Sequence, residues 1–416
     1  MSIVVPCYKT DRAYLRDLLD LVLAQSYDNW ELLLMDGSPE LDAVANLAAG
    51  VNDVRVRGIE LPGNGGIVRN TNAGIQQTAG DYVAFLNHDD ILEPDALFHY
   101  VAALNNAGEG ERSQVLFCDE DMFQKTGKWG QPVFKTKLNI DLLYSYNCVT
   151  HFLVVEKALI DRIGMSPEDV AGAQDYDLTL RCLAAGARLE RVAHVLYHWR
   201  VRPGSTADSS TDSKPYAIEA GRLALQRHFD SLGICGAVVE TETPFVYRMR
   251  YTLPELVSLV SIVIPIKDNV GALDACVMSI AENATYANYE IVLVENNSED
   301  SETFAYYEAL PERVTTASDG KGSARVEYWP GEFNYSKIVN FGVGCAKGDY
   351  LLLLNNDTKV ITPGFIEEMM GYLQRPDAGV VGAKLHFADH LVQHAGILVG
   401  VRGALAHANQ DFSAKR

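Results

Sequence analysis

The chain has 416 residues, 48% of them hydrophobic and 22% charged, which is enough for two or three ordinary globular domains, each with its own core. A formal net charge of -20, from 55 acidic against 35 basic residues with no Lys/Arg cluster, excludes nucleic acid as the main partner, because basic groups supply most of such affinity. Seven scattered cysteines without a CxxC pair exclude a disulfide framework or zinc site and fit reduced thiols in a cytosolic protein, and no apolar stretch approaches the roughly 18 residues of a transmembrane helix.

Met1 leads straight into SIVVP, residues 2–6, a β-branched run that reads as a strand buried on both faces, and not into a signal peptide. AYLRDLLDLVLAQ then reads as a helix, YDNWELLLMD as a strand ending at Asp36, and IVRNTNAGIQQTA as a second helix. Strands alternating with helices at this spacing predict an α/β fold with a mostly parallel, doubly wound, Rossmann-like sheet. Ligands bind such sheets at the carboxyl ends of the strands, where Pro6, Asp36 and Asp89 all fall.

The strand YVAFL runs into Asn87-His88-Asp89-Asp90. Two adjacent carboxylates repel each other unless a hard divalent cation bridges them to phosphate oxygens. The competing reading is a helix cap, with Asp90 or Asp95 preceding the next helix. Further on, GAQDYDLTLRCLAAG places Asp175 at the start of an amphipathic helix, and residues 213–233 read as the helix that closes a first domain spanning 1–235. Residues 236–258, with aromatics, Arg248, Arg250 and two prolines, read as an ordered connector.

From residue 259 the sequence repeats. SIVIP ends at Pro265, 259 residues after Pro6, and YANYEIVLVE ends at Glu295, 259 after Asp36. Asn340, Gly348 and Asp357 each follow Asn72, Gly80 and Asp89 by 268 residues, so the second copy has gained nine, expected in the loop around SDGKGSARV. The second copy, 259–416, is expected to be incomplete, since a partner for residue 175 would fall beyond residue 416.

Both halves resemble the nucleotide-binding part of a family 2 glycosyltransferase of GT-A fold, in tandem, as in bacterial enzymes that build O-antigen or other surface polysaccharides. The family's DxD motif reads here as Asn87-His88-Asp89 and Asn355-Asn356-Asp357, with Asn at the first acidic position of both copies. The resemblance implies that Asp89 and Asp357 bind Mn2+ or Mg2+ on the donor diphosphate, with Asp90 compensating on the donor side in the first copy. It implies that Pro6, Tyr8, Asp36 and Arg69 hold the nucleotide of a UDP- or dTDP-linked sugar, Tyr8 stacking on the pyrimidine and Asp36 accepting from its N3-H. Pro265, Glu295 and Lys337 are the chemically similar counterparts. Asp175, in a Gln174-Asp175 pair, matches the catalytic base of an inverting transfer to a glycan hydroxyl. His198, in LYHWR, is expected in the metal shell or on the diphosphate, with Arg200 or Arg202 offsetting charge. Asp119, Asp121 and Gln174 are expected near the sugar or acceptor.

The acceptor that the resemblance suggests is a lipid-linked glycan, which places the protein in the cytoplasm, peripheral to the inner face of the membrane. Two other readings stand beside this one: a second copy that only binds nucleotide-sugar or serves as a scaffold, and a nucleotidyltransferase.

Overall fold

The computed structural model describes residues 1–41, 43–108, 110–124, 127–201, 215–254, 258–401, 404–410 and 412. It divides into two compact units, Met1–Met249 and Arg250–Arg416.

The first unit begins with β1 (Ser2–Cys7), α1 (Arg12–Leu23), β2 (Glu31–Asp36), α2 (Ala43–Val51), β3 (Val56–Glu60), α3 (Gly66–Ile75) and β4 (Tyr82–Phe85). It continues with β5 (Ile91–Leu92), α4 (Ala96–Asn106), β6 (Val115–Phe123), α5 (Ile140–Ser145), β7 (Val154–Glu156), α6 (Lys157–Ile163), α7 (Gln174–Ala184), β8 (Leu189–Arg200) and α8 (Pro215–Ser231). Its eight-stranded sheet runs β3-β2-β1-β4-β7-β6-β8-β5. The first four strands are parallel, β7 is antiparallel to both neighbours, and β6 and β8 are parallel again. The apolar run of β1 has its reason here: Ile3, Val5 and Cys7 enter the core under α1 and α4, while Val4 joins Leu33, Met35 and Val83 on the opposite face.

The segment read as a connector contains a hairpin, β9 (Gly236–Glu240) with β10 (Tyr247–Tyr251). Tyr247 anchors it to the first unit through its hydroxyl, which donates to the Ile218 carbonyl at 2.8 Å.

The second unit contains β11 (Val260–Ile266), α9 (Val270–Asn283), β12 (Tyr289–Glu295), α10 (Ser301–Ala317), β13 (Gly322–Tyr328), α11 (Tyr335–Cys345), β14 (Tyr350–Leu353) and α12 (Phe365–Leu373). Two small hairpins follow, β15 (Leu385–His386) with β16 (Val392–His394) and β17 (Ile397–Val401) with β18 (Ala404–His407). Its all-parallel sheet, β13-β12-β11-β14, repeats the order β3-β2-β1-β4.

The repeat extends to individual bonds. Ser2 Oγ donates to Glu31 at 2.6 Å and accepts from the Gly80 amide at 2.9 Å; Ser261 Oγ does the same with Glu290 at 2.6 Å and Gly348 at 2.8 Å. Gly74 and Gly342 occupy one place: a Cβ would lie 2.5 Å from Val4 in the first copy and 2.5 Å from Val294 in the second, so both helices need glycine to lie against the sheet.

The nine extra residues are not in the loop where they were expected. Leu32 pairs with Val56 and Ile291 with Ala324, so the offset has already changed between β12 and β13. Most of the added length lies in α10, which at 17 residues is eight longer than α2 with nine.

Candidate functional site

In the first unit a cavity of about 750 Å³ opens at the carboxyl ends of β1 and β4. Pro6 and Tyr8 come to it from the end of β1, Asp89 and Asp90 from the end of β4, and Gln174 and Asp175 from the first turn of α7. The parallel topology brings together residues that are 169 positions apart in sequence (Pro6 to Asp175). Tyr8 is 43% exposed, so its ring is open for stacking.

Asp36 ends β2 beside Cys7, which lines the cavity. It is 1% exposed, and its Oδ1 accepts from the Ser38 amide at 2.9 Å and hydroxyl at 3.1 Å. Its Oδ2 is buried with no hydrogen-bond partner, an acceptor awaiting a donor.

Asp89 is 7% exposed, and its carbonyl accepts from Arg200 Nε at 2.7 Å, which ties the strand end to β8. Among the described residues no group of three His, Cys, Asp or Glu converges as a closed metal cage. One carboxylate on a cavity wall fits an ion such as Mg2+ or Mn2+ whose other ligands are phosphate oxygens and water. Asp90 is not a helix cap, and its carboxylate is taken up by the protein. It accepts from Asn87 Nδ2 at 2.9 Å, the Tyr197 hydroxyl and the Arg200 amide at 2.9 Å. Burial, then the Asp89 charge, push its carboxyl up to about 6. Its role is thus to fix the Asp89 turn against β8.

Asp175 Oδ1 accepts from the Tyr176 amide at 2.9 Å, and Gln174 Oε1 accepts from the Gly172 amide at 2.9 Å, which closes the turn before α7. Burial raises the Asp175 pKa above the ordinary carboxylate value, while the His151 charge and nearby amides pull the other way without overcoming it. A carboxylate made more basic by burial is suited to taking a proton.

Four expected site residues lie elsewhere. Arg69 is exposed and pairs with Glu168 at 2.6 Å, off the cavity wall. His198 is 4% exposed and has both ring nitrogens engaged, Nδ1 with Asp121 at 2.6 Å and Nε2 with Glu93 at 3.0 Å, with Trp129 against the ring. Strand alternation explains this: Tyr197 and Trp199 line the cavity, and the residue between them points away. Asp121 is therefore the partner of His198, and Asp119, 1% exposed, is held by Arg191 and by the Lys135 amide at 2.9 Å. Arg200 packs over Tyr14 at 4.8 Å; Arg202 lies outside the described residues.

Between Asp119 and Asp121 stands the residue that sequence reasoning passed over. Glu120 accepts from Lys135 Nζ at 3.1 Å and from the His151 amide at 2.7 Å, and lies 3.0 Å from His151 Nδ1. Burial opposes its charge, but His151 and Lys135 hold the carboxyl down at about 2. His151 lines the cavity with Asp175, its ring stacked on Tyr197 at 5.1 Å and tilted against Trp199 at 4.7 Å.

In the second unit the corresponding residues are differently placed. Glu295 is 2% exposed, and both its oxygens are used: Oε1 by the Ser298 amide at 2.5 Å, Oε2 by the Ser298 hydroxyl at 2.6 Å and the Tyr307 hydroxyl at 2.6 Å. Tyr307 belongs to the lengthened α10, so the insertion removes the open acceptor that Asp36 keeps. Glu295 is thus not available to a base as expected. Pro265 stays at the end of β11, Lys337 is exposed in the first turn of α11, and Asp357 is exposed where Asp89 is buried.

The model of glycosyl transferase family 2 matches residues 2–163 and again 261–393. An uncharacterized protein, y4gI, of Sinorhizobium fredii is 38% identical over 419 residues, covering 98% of this chain and 44% of that protein. The O-antigen biosynthesis protein RfbC of Myxococcus xanthus is 35% identical over 411 residues, covering 98% of this chain and 31% of that protein. The chain thus spans less than half the length of either relative. Among solved structures, S. aureus TarS with UDP-GlcNAc is 23% identical with a TM-score of 0.43, covering 54% of this chain and 64% of that one. The double match, over a repeated parallel sheet with its cavity at the strand ends, identifies the chain as a member of glycosyl transferase family 2.

Proposed function

We propose that the first unit is an inverting glycosyltransferase that moves a sugar from a nucleoside diphosphate donor to a hydroxyl of a glycan acceptor in bacterial surface polysaccharide synthesis. The observation that carries this reading is the meeting of Asp89 and Asp175 on one cavity, with Asp36, whose buried Oδ2 has no partner, paired to the wall residue Cys7. Asp36 Oδ2 accepts the N3-H of a uracil or thymine, and Tyr8 stacks on the ring. Asp89 would hold Mn2+ or Mg2+, which when bound offsets the diphosphate charge. Asp175 takes the proton of the acceptor hydroxyl as that oxygen attacks the anomeric carbon from the face opposite the diphosphate. A carbon–oxygen bond forms, the bond to the leaving phosphate oxygen breaks, and the sugar inverts. Gln174 orders the turn that carries the base.

The polysaccharide context is supported by the similarity to RfbC, an O-antigen biosynthesis protein, and a lipid-linked acceptor at the inner membrane face accords with it. No described helix is long and apolar enough to cross a membrane. For the second unit we propose a scaffolding role in this chain, supported by the closure of Glu295.

The test is a screen of UDP- and dTDP-sugars with Mn2+. Release of nucleoside diphosphate, with inverted configuration in the transferred product by NMR, is the expected result. Pyrophosphate release would point instead to a nucleotidyltransferase, and retained configuration would refute the single displacement.

A further inference from the structure

The cavity wall carries the carboxylates Asp11, Asp89, Asp90 and Asp175, and the basic groups set among them are Lys9, His88 and His151. The His151 ring is not a loosely held side chain. Glu120 grips it twice, at the main-chain amide and at Nδ1, and Tyr197 lies parallel to it with an interplanar angle of 5°. With Nδ1 fixed on Glu120, the ring's orientation and tautomer are set, as a carboxylate sets a histidine elsewhere. Among the described residues Nε2 has no hydrogen-bond partner, and it is not among the buried polar atoms left unsatisfied, so it reaches the open cavity that Asp175 also lines.

We propose that His151 is a positioning residue for the transfer, an imidazolium fixed by Glu120 that stands beside Asp175 as its counter-charge and keeps the base ionised. This rests on the reading of Asp175 as the base. The electrostatic surroundings agree in sign. Asp175 faces His151, which favours its charged form, and Glu120, which opposes it, together with its own and the Tyr176 amide at the start of α7. His151 faces Glu120 on β6 and Asp90 after β4, which favour its protonation, and Lys135, which opposes it. Burial lowers the His151 pKa, yet the Glu120 hydrogen bond and charge outweigh it and leave the group raised. Lys135 also donates to the Thr150 carbonyl, which pins the segment leading to His151.

The experiment is the pH profile of kcat/KM for His151→Gln with the full chain. Without the counter-charge, Asp175 protonates at higher pH, so the acid limb moves up by about one pH unit, at the low end of what a nearby opposite charge contributes. A merely structural histidine would lower activity across the profile without moving the limb, and an unmoved limb overturns the proposal. Should His151→Gln not fold, the same coupling is read in reverse by NMR titration of His151 in Asp175→Asn, where its midpoint falls. An unmoved midpoint there also overturns it. The underlying reading fails separately: wild-type turnover in Asp175→Asn removes the base itself, whereas lost turnover in Asp175→Asn with an unmoved limb in His151→Gln removes only the counter-charge.

Discussion

Replacing Glu120 by glutamine keeps its shape and removes the charge that His151 and Lys135 share, so its cost follows from the site's electrostatics. The carboxyl sits at about 2 in the folded protein, against 4.5 for an unperturbed glutamate. A depressed acid contributes stability above its unfolded pKa and loses it as pH falls through the folded one. The difference is worth about 3 kcal/mol near pH 6 and falls to less than about half of that by pH 3, at 1.36 kcal/mol per unit. His151 shows the opposite sign: its contribution is present below its unfolded pKa of 6.5 and is lost as pH rises through its raised folded value. It is the same interaction, counted once. Urea denaturation of wild type and Glu120→Gln from pH 3 to pH 9 should show the largest gap, about 2–4 kcal/mol, around pH 5–6, narrowing on both sides. A gap independent of pH would refute the electrostatic account and leave Glu120 a packing residue.

Asp36→Asn should weaken donor binding by roughly 10- to 100-fold in calorimetry, the scale of a hydrogen bond to a charged group, while Glu295→Gln leaves it unchanged because that carboxylate is already occupied. Asp89→Ala should abolish the difference between donor affinities with and without Mn2+, and His198→Gln should preserve that difference, since its ring is spent on Asp121 and Glu93. Gly342→Ala, which forces a Cβ against Val263 and Val294, should destabilise the second unit by about 1–3 kcal/mol in thermal unfolding.

The repeat, the parallel strands and the cavity-lining Tyr8, Asp89 and Asp175 were legible in the sequence because they are governed by local rules. A both-faces-buried strand is a continuous apolar run, and its carboxyl end is where ligands gather. The second half of the first sheet was less legible. The parallel pairing of β6 with β8 contains irregularities at Cys118–Asp119–Glu120, so no simple alternation shows which of three consecutive acids faces inward. His151 carries no motif, and its partner Glu120 lies 31 residues away, so only tertiary structure reveals the pair. His198 was misplaced because LYHWR looks the same whichever face the odd positions take. The lengthening of α10 was not legible because the matched segments of the repeat stop at Glu295 and resume in α11, and the helix lies in the unmatched stretch between them.

The most direct test of the account is Asp175→Asn in the full chain, assayed for transfer and donor binding together. The account predicts that sugar transfer falls by about 100- to 10,000-fold, the usual contribution of a general base, while donor affinity stays within about threefold of wild type. Transfer within about tenfold of wild type would contradict it.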